Sequence, residues 1–296
     1  MKVLSYGSLN IDYVYKVEHI VMEGETISSA SLDVIPGGKG LNQSIALAKA
    51  GACVCHAGRV GTEGEFLLDW CRQHGVNTDY VKIDSDTKTG HAIIQVDQKG
   101  QNSIVLFGGS NQKQTKEQID EVLANFEEGD VLLLQNETNL VPYLVEEGHK
   151  KGMLVVLNPS PMNEKIFECD LNKVSLFLLN EVEGEQLTGS SDENEICDLL
   201  KAKYPKAKFV LTLGSKGAYY FDQDTKVFQE AFKVNVVDTT AAGDTFTGYF
   251  IANLMEEETI EVCMSRAAKA AAIAVTRKGA SVSIPEKRGV LEWDLL

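Results

Sequence analysis

Apolar and polar positions follow two rhythms along the chain. Short unbroken apolar runs (KVLSYGS, CVCHAGRV, DVLLLQ, MLVVLNP, VSLFLLN, KFVLTLG) alternate with stretches of helical spacing such as EGEFLLDWCRQHG, NLVPYLVEEGHKKG, EVEGEQLTG and ENEICDLLKAKYP. Runs such as VLLLQ and LVVLN have no polar alternation, which marks strands covered on both faces, as in a parallel sheet between helical layers. The β-α order predicts one α/β domain over residues 1–296, with a doubly wound, mainly parallel sheet flanked by helices.

Two regions leave this rhythm. Residues 12–35 hold alternating segments without a helix, and residues 88–107 read as a hairpin turning near Gln98-Lys99-Gly100. They predict a small separate β-sheet that projects from the main domain as a lid; the alternative is extra edge strands of the main sheet. A small sheet has open edges and one apolar face. Val14, Ile93 and Val105 are among the residues needing cover, and a twofold homodimer through the lid would supply it.

Composition narrows the function classes. The 296 residues are 44% hydrophobic and 24% charged, an ordinary globular mixture. The net charge of -15 lacks a nucleic-acid footprint and disfavours an anionic membrane, so neither partner is expected. The N-terminal MKVLSYGSLNID turns polar too early for a signal peptide, and no apolar run is bilayer-long. Six scattered cysteines form no disulfide framework, which fits a cytoplasmic location. Cys53-Val54-Cys55 reads as a pair of buried thiols on a strand. The histidines are dispersed and no H-E-x-x-H occurs, so no zinc is inferred.

Two glycine-rich stretches carry the candidate chemistry: PGGKGLNQSIALAKAG at 36–51 and VVDTTAAGDTFTGYF at 236–250. Each sets a small-residue turn against a helix. In the first, the helical pattern runs from Gln43 to a stop at Gly51. Gly37, Gly38 and Gly40 let backbone approach a small polar ligand, and Lys39 and Asn42 offer donors to hydroxyls. Neither a Walker A loop nor a Rossmann G-x-G-x-x-G is present. In the second, Ala241, Ala242 and Gly243 open a helix whose free N–H groups attract an anion. Asp244 either caps that helix or stands beside the anion as a general base for a hydroxyl attacking phosphorus.

With GSLNID at 7–12, LLNEVEGE, TLGSKGA at 212–218 and AVTRKGAS at 274–281 in the same order, GGKGLNQ and DTTAAGDTF resemble the ribokinase (PfkB) family of sugar kinases over nearly the whole chain. The resemblance implies ATP-dependent phosphorylation of a sugar hydroxyl, D-ribose to D-ribose 5-phosphate being the leading case. Asp244 would be the base, and the backbone of Ala241, Ala242 and Gly243 the anion hole. Asn10, Asp12, Gly38, Lys39, Gly40, Asn42 and Glu137 would contact the sugar. Asn180 and Glu183 would organise Mg2+ and phosphate through water. Thr212, Gly214, Ser215, Lys216 and Gly217, with Gly243, would line the nucleotide. A K+ ion would be caged by Asp238, Thr240, Ala274, Arg277, Gly279 and Ser283. Two places depart from the family pattern: Ala267-Ala268 stands where many members place a polar side chain near adenine, and FGGSNQ replaces a G-A-N pattern.

Local alternatives stay open at this level. Asp12 also suits a strand-end turn, Glu137 a helix N-terminal charge, Asn180 and Glu183 a solvated helix start, and residues 212–217 a strand-to-strand turn. Lys216 could simply be exposed, and Asp238 could pair with Arg277 or Lys278. The competing functions are a related kinase for another sugar or a nucleoside such as pseudouridine, and a non-catalytic sugar-binding protein on the same fold.

Overall fold

In the computed structural model, which describes residues 1–293, the apolar runs become strands in the order read from the sequence. The strands are β1 (Val3–Tyr6), β2 (Asn10–Lys16), β3 (Ser31–Gly37), β4 (Val54–Gly61), β5 (Asn77–Asp84), β6 (Gly90–Val96) and β7 (Asn102–Phe107). They continue with β8 (Val131–Gln135), β9 (Leu154–Asn158), β10 (Leu176–Asn180), β11 (Lys208–Thr212), β12 (Gly217–Phe221) and β13 (Lys226–Glu230). The helices are α1 (Lys39–Lys49), α2 (Glu65–Gln73), α3 (Lys116–Leu123), α4 (Val141–Lys150), α5 (Glu181–Thr188), α6 (Glu193–Lys203), α7 (Ala242–Met255) and α8 (Ile260–Val275).

Nine strands form the main sheet in the order β13-β12-β11-β10-β9-β8-β1-β4-β5. From β5 across to β11 the neighbours are parallel, while β12 and β13 close one edge antiparallel. The reversal at β11–β12 follows from their connection, which is too short for the crossover that a parallel partner needs. Successive residues along each strand serve two cores. Val131, Leu133, Val156, Leu178 and Val210 share one with Leu41 and Ile45 of α1, Phe246 and Phe250 of α7 and Met264 of α8. Leu132, Leu134, Leu157, Leu179 and Leu211 share the other with Ile119 of α3, Leu144 of α4 and Leu200 of α6. Covering both faces removes any need for polar alternation. Truncating one of these buried leucines to alanine costs about 2–5 kcal/mol.

The chain leaves β1 toward β4 and β5 on one side and returns to place β8 on the other. Such a reversal opens a crevice beyond the carboxyl ends of the strands. The ends of β1, β8, β9, β10 and β11 therefore define where a ligand can enter.

The second sheet has the order β3-β2-β6-β7 and shares no strand with the first, so residues 12–35 and 88–107 are not edge strands of the main sheet. Its apolar surface differs from the expected single face. Cross-strand partners put Val14 beside Ile94 and Ile104, whereas Ile93 and Val105 lie with Tyr13 and Val34 on the opposite face. Both faces carry apolar side chains because register, not residue type, assigns the side. Leu32, Val34, Ile104, Val105 and Phe107 are all exposed.

Two further local expectations are corrected. Helix α1 begins at Lys39, four residues before Gln43, because residues of other segments satisfy its first amides. Cys53 is exposed just ahead of β4 and only Cys55 is buried, so the pair is not two core thiols. Among the described residues no helix is long and apolar enough to cross a membrane.

Candidate active site

The start of α1 has a glycine N-cap and no capping side chain of its own. Its first amides are instead met by the ends of β1 and β8. The Lys39 N–H donates to Glu137 Oε2 at 3.1 Å, the Gly40 N–H to Ser8 Oγ at 3.2 Å and the Leu41 N–H to the Ser8 carbonyl at 3.0 Å. The Ser8 hydroxyl in turn donates to Glu137. Gly40 permits this approach: a Cβ there would lie 2.5 Å from the Ser8 nitrogen. The glycine-rich turn is therefore a close backbone junction between α1 and the crevice. Glu137 does serve a helix N-terminus, that of α1.

Helix α7 meets the same junction. Ala241, its N-cap, sits in the left-handed region at φ 60°, and no side chain caps the helix. The Ala242 N–H is taken by the Thr239 carbonyl at 3.2 Å. Asp244 is not a cap: its buried carboxylate accepts Asn42 Nδ2 at 3.2 Å on one oxygen and Gln43 Nε2 at 2.9 Å on the other. Gly243 is exposed and has nothing within 4 Å of where a Cβ would stand. The turn thus leaves an open face over the N-terminal end of α7, which a negative group can approach.

A cleft of about 260 Å³ joins these parts. Lys39, Asn158, Asn180, Glu183 and Thr212 line it together with Ala241, Ala242, Gly243, Asp244 and Thr247 of the α7 end. Burial alone would lower the Lys39 pKa, but the carboxylates of Asp244, Glu137 and Glu183 outweigh it and hold the ammonium above its ordinary value. Burial pushes Glu137 up, against the Ser8 hydroxyl and Lys39.

The base of the second sheet forms the adjoining wall. Asn10 pairs in register with Gly37 and Gly90, and Asp12 packs its carboxylate against Gly37. Burial, with the Glu137 charge beside it, raises Asp12 to about 7. Asn10 accepts Asn111 Nδ2 at 2.7 Å, and Asn111 also clamps the Leu9 N–H and carbonyl at 3.1 and 3.2 Å. Asn111 lies in FGGSNQ, so the asparagine of that segment anchors the entry to β2.

Other predicted residues are less converged. Asn180 and Glu183 form a reciprocal capping box at the start of α5, with bonds of 2.9 and 3.0 Å, and Glu183 is buried instead of solvated. Gly214, Ser215 and Gly217 build the β11–β12 turn, and of that segment Thr212 alone borders the cleft. Lys216 is exposed and ion-paired with Glu193. Asp238 pairs with neither Arg277 nor Lys278. Its carboxylate accepts the Thr240 N–H at 2.9 Å, the Thr240 hydroxyl at 2.6 Å and the Gly279 N–H at 2.9 Å, which joins the two segments. The Ala274 carbonyl takes the Arg277 N–H, the Ser283 carbonyl takes the Arg277 guanidinium, and the Ser283 hydroxyl turns to Ala280. Ala267 is buried in the core and Ala268 packs partly buried against it.

Sequence reasoning passed over Ser8, Gln43, Asn111 and Asn158. Ser8 and Gln43 stand inside quoted motifs, but their roles depend on partners about 100 or more residues away, namely Glu137 and Asp244.

A family model described as pfkB family carbohydrate kinase matches residues 1–287. A ribokinase of Haemophilus influenzae is 35% identical over 97% of this chain and 96% of its own length. A deoxyribokinase of Salmonella typhi is 32% identical over 96% of each. The solved structure of Arabidopsis thaliana ribokinase complexed with ribose and ATP superposes with a TM-score of 0.87 at 30% identity, covering 98% of this chain and 97% of that one.

Proposed function

The chain belongs to the pfkB family of carbohydrate kinases, and we propose that its reaction is the transfer of the γ-phosphoryl group of ATP to D-ribose, giving D-ribose 5-phosphate. The observation that carries this reading is the meeting of Asp244, at the start of α7, with Lys39, Asn42 and Glu137 across the crevice. A carboxylate next to an uncapped helix N-terminus suits a reaction in which a hydroxyl loses its proton as phosphorus accepts it.

Asp12, Asn10 and Glu137 would hold the sugar hydroxyls, carboxylates being strong acceptors for paired O–H groups. Asn42 stands with them, its Nδ2 donating to Asp244. Asp244 would take the proton of the attacking hydroxyl, a contribution of about 10²–10⁴ in rate. The anion hole was expected at the backbone of Ala241, Ala242 and Gly243; because the Ala242 N–H is taken by Thr239, the amides of Gly243 and Asp244, with the Lys39 ammonium, would stabilise charge on the transferring phosphoryl group. Thr212 and the β11–β12 turn would border the nucleotide.

Among the described residues no cluster of three or more His, Cys, Asp or Glu could hold a metal. Mg2+ on the nucleotide phosphates needs few protein ligands, and Glu183 and Asn180 fit a water-mediated role; the ion would neutralise phosphate charge. The Asp238–Gly279 bond brings together the two segments whose oxygens would cage K+. The exposed apolar second sheet supports a lid and a homodimer through it. A cytoplasmic site of action fits this reading.

A coupled assay for ADP release across D-ribose, 2-deoxy-D-ribose, other pentoses and nucleosides tests the acceptor. Ribose should give the highest kcat/KM, and a higher value for deoxyribose or a nucleoside rejects the assignment. Asp244→Asn should lower kcat by at least about 10²-fold while sugar binding persists. Turnover within a few-fold of the parent would remove the base.

A further inference from the structure

One of the two amides that grip Asp244 is itself gripped from below. Gln43 is 1% exposed, and its Nε2 donates to Asp244 Oδ1 at 2.9 Å and to Asn158 Oδ1 at 3.3 Å. Its Oε1 accepts Nε2 of Gln135, a fully buried residue, at 2.7 Å. An ionised carboxylate can only accept, so Gln43 must turn its NH2 toward Asp244. Its carbonyl then faces Gln135, which must present its own NH2. The charge of Asp244 thus orders two amides in sequence. The far end is left unsatisfied: Gln135 Oε1 has no partner and fills the space beside Gly7, where a Cβ would lie 2.1 Å away.

We propose that Gln43 is a positioning residue for this base. It does not itself border the cleft and reaches it through Asp244 and, at longer range, through Asn158. The grip on Oδ1 holds the carboxylate in one orientation and leaves the other oxygen to Asn42. In a buried setting, linked donors of this kind reinforce one another. The proposal rests on the reading of Asp244 as the base.

Gln43→Glu and Gln43→Met are measured in parallel with Asp244→Asn, over pH, with sugar and ATP varied. Gln43→Glu keeps the length and the acceptor for Gln135 but sets a second carboxylate against Asp244. It should displace the acid limb of the kcat profile upward by about one pH unit or more, since like charges sharing a site hold one proton. Gln43→Met should lower kcat by about tenfold, less than the roughly 10²-fold loss expected on removing the base itself, with both KM values nearly unchanged. An unmoved acid limb in Gln43→Glu, or losses confined to KM, overturns the proposal. If either variant fails to fold, Gln135→Met, one contact further from the base, should move the limb in the same direction, and an unmoved limb there is equally fatal. An inactive Asp244→Asn with unaltered Gln43 variants sinks the positioning role alone. An active Asp244→Asn sinks the base and this role together.

Discussion

Gly248 of α7 lies directly against Ala46 of α1: a Cβ at position 248 would come within 2.4 Å of the Ala46 Cβ and 2.7 Å of the Leu47 nitrogen. One turn before each of these residues stand Asp244 and Asn42, which share a hydrogen bond. The small residues set the helix separation, and the separation sets the reach of the two polar side chains. Gly248→Val should force the helices apart. Overpacking of this kind costs about 1–3 kcal/mol. A lower midpoint in chemical denaturation, with a fall in kcat, is the expected result. A variant of parental activity would show that the helix contact does not set the site.

Gly243 offers the opposite case. Open space surrounds the position of its missing side chain, so no neighbour opposes a substitution. Gly243→Val should change stability by no more than about 0.5 kcal/mol, the range of changes away from packed features. The new side chain would nonetheless stand over the amides proposed to receive phosphate. The KM for ATP should rise by at least about tenfold, and an unchanged KM would place the nucleotide elsewhere.

Sugar binding should depend on pH through Asp12, which burial and Glu137 raise to about 7. Sugar hydroxyls donate to the ionised carboxylate and favour that form. Binding therefore releases a proton near neutrality, and affinity is complete above pH 7 and declines as the pH falls below it. Ribose KM should rise between pH 7.5 and 6, by up to about tenfold per pH unit. The Asp12→Asn enzyme should bind more weakly at every pH with a flat profile across this window. A parental slope in that variant would assign the titration to another group.

Asp238 tests the proposed monovalent cation. Burial works against its charge, but the Thr240 and Gly279 donors outweigh it and hold the pKa below the ordinary carboxylate value. The carboxylate is therefore ionised at neutral pH and can contribute an oxygen to a hard cation. Potassium should raise kcat above that in sodium at equal ionic strength, and Asp238→Ala should erase the difference. Equal rates in the two salts, with ATP and magnesium saturating, would dismiss the ion. The Asp238→Ala enzyme can lose activity simply by loosening the Gly279 junction, so the salt ratio decides the question and the absolute rate does not.

The sequence by itself determined the layered α/β architecture, because a strand covered on both faces must be apolar throughout and a helix must keep its period. VLLLQ and LVVLN could adopt few other structures, and the hairpin at residues 88–107 followed from its turn residues. The stretches 36–51 and 236–250 were legible as two small-residue turns set against helices; at 36–51 the reason is close backbone approach, which excludes side chains whatever lies opposite. What lies opposite was decided only by tertiary structure. Gln43 read only as the start of a helical pattern; the packing of α1 on α7 placed Asp244 beside it. Ser8 read as the last residue of the first strand run until β8 brought Glu137 to it, and the α1 amides gave both a common task. The faces of the second sheet were equally hidden, since period-two alternation fixes which residues share a side only once strand register is known. Local propensity acts within a few residues, whereas hydrogen-bond partners a hundred or more residues away are chosen by topology.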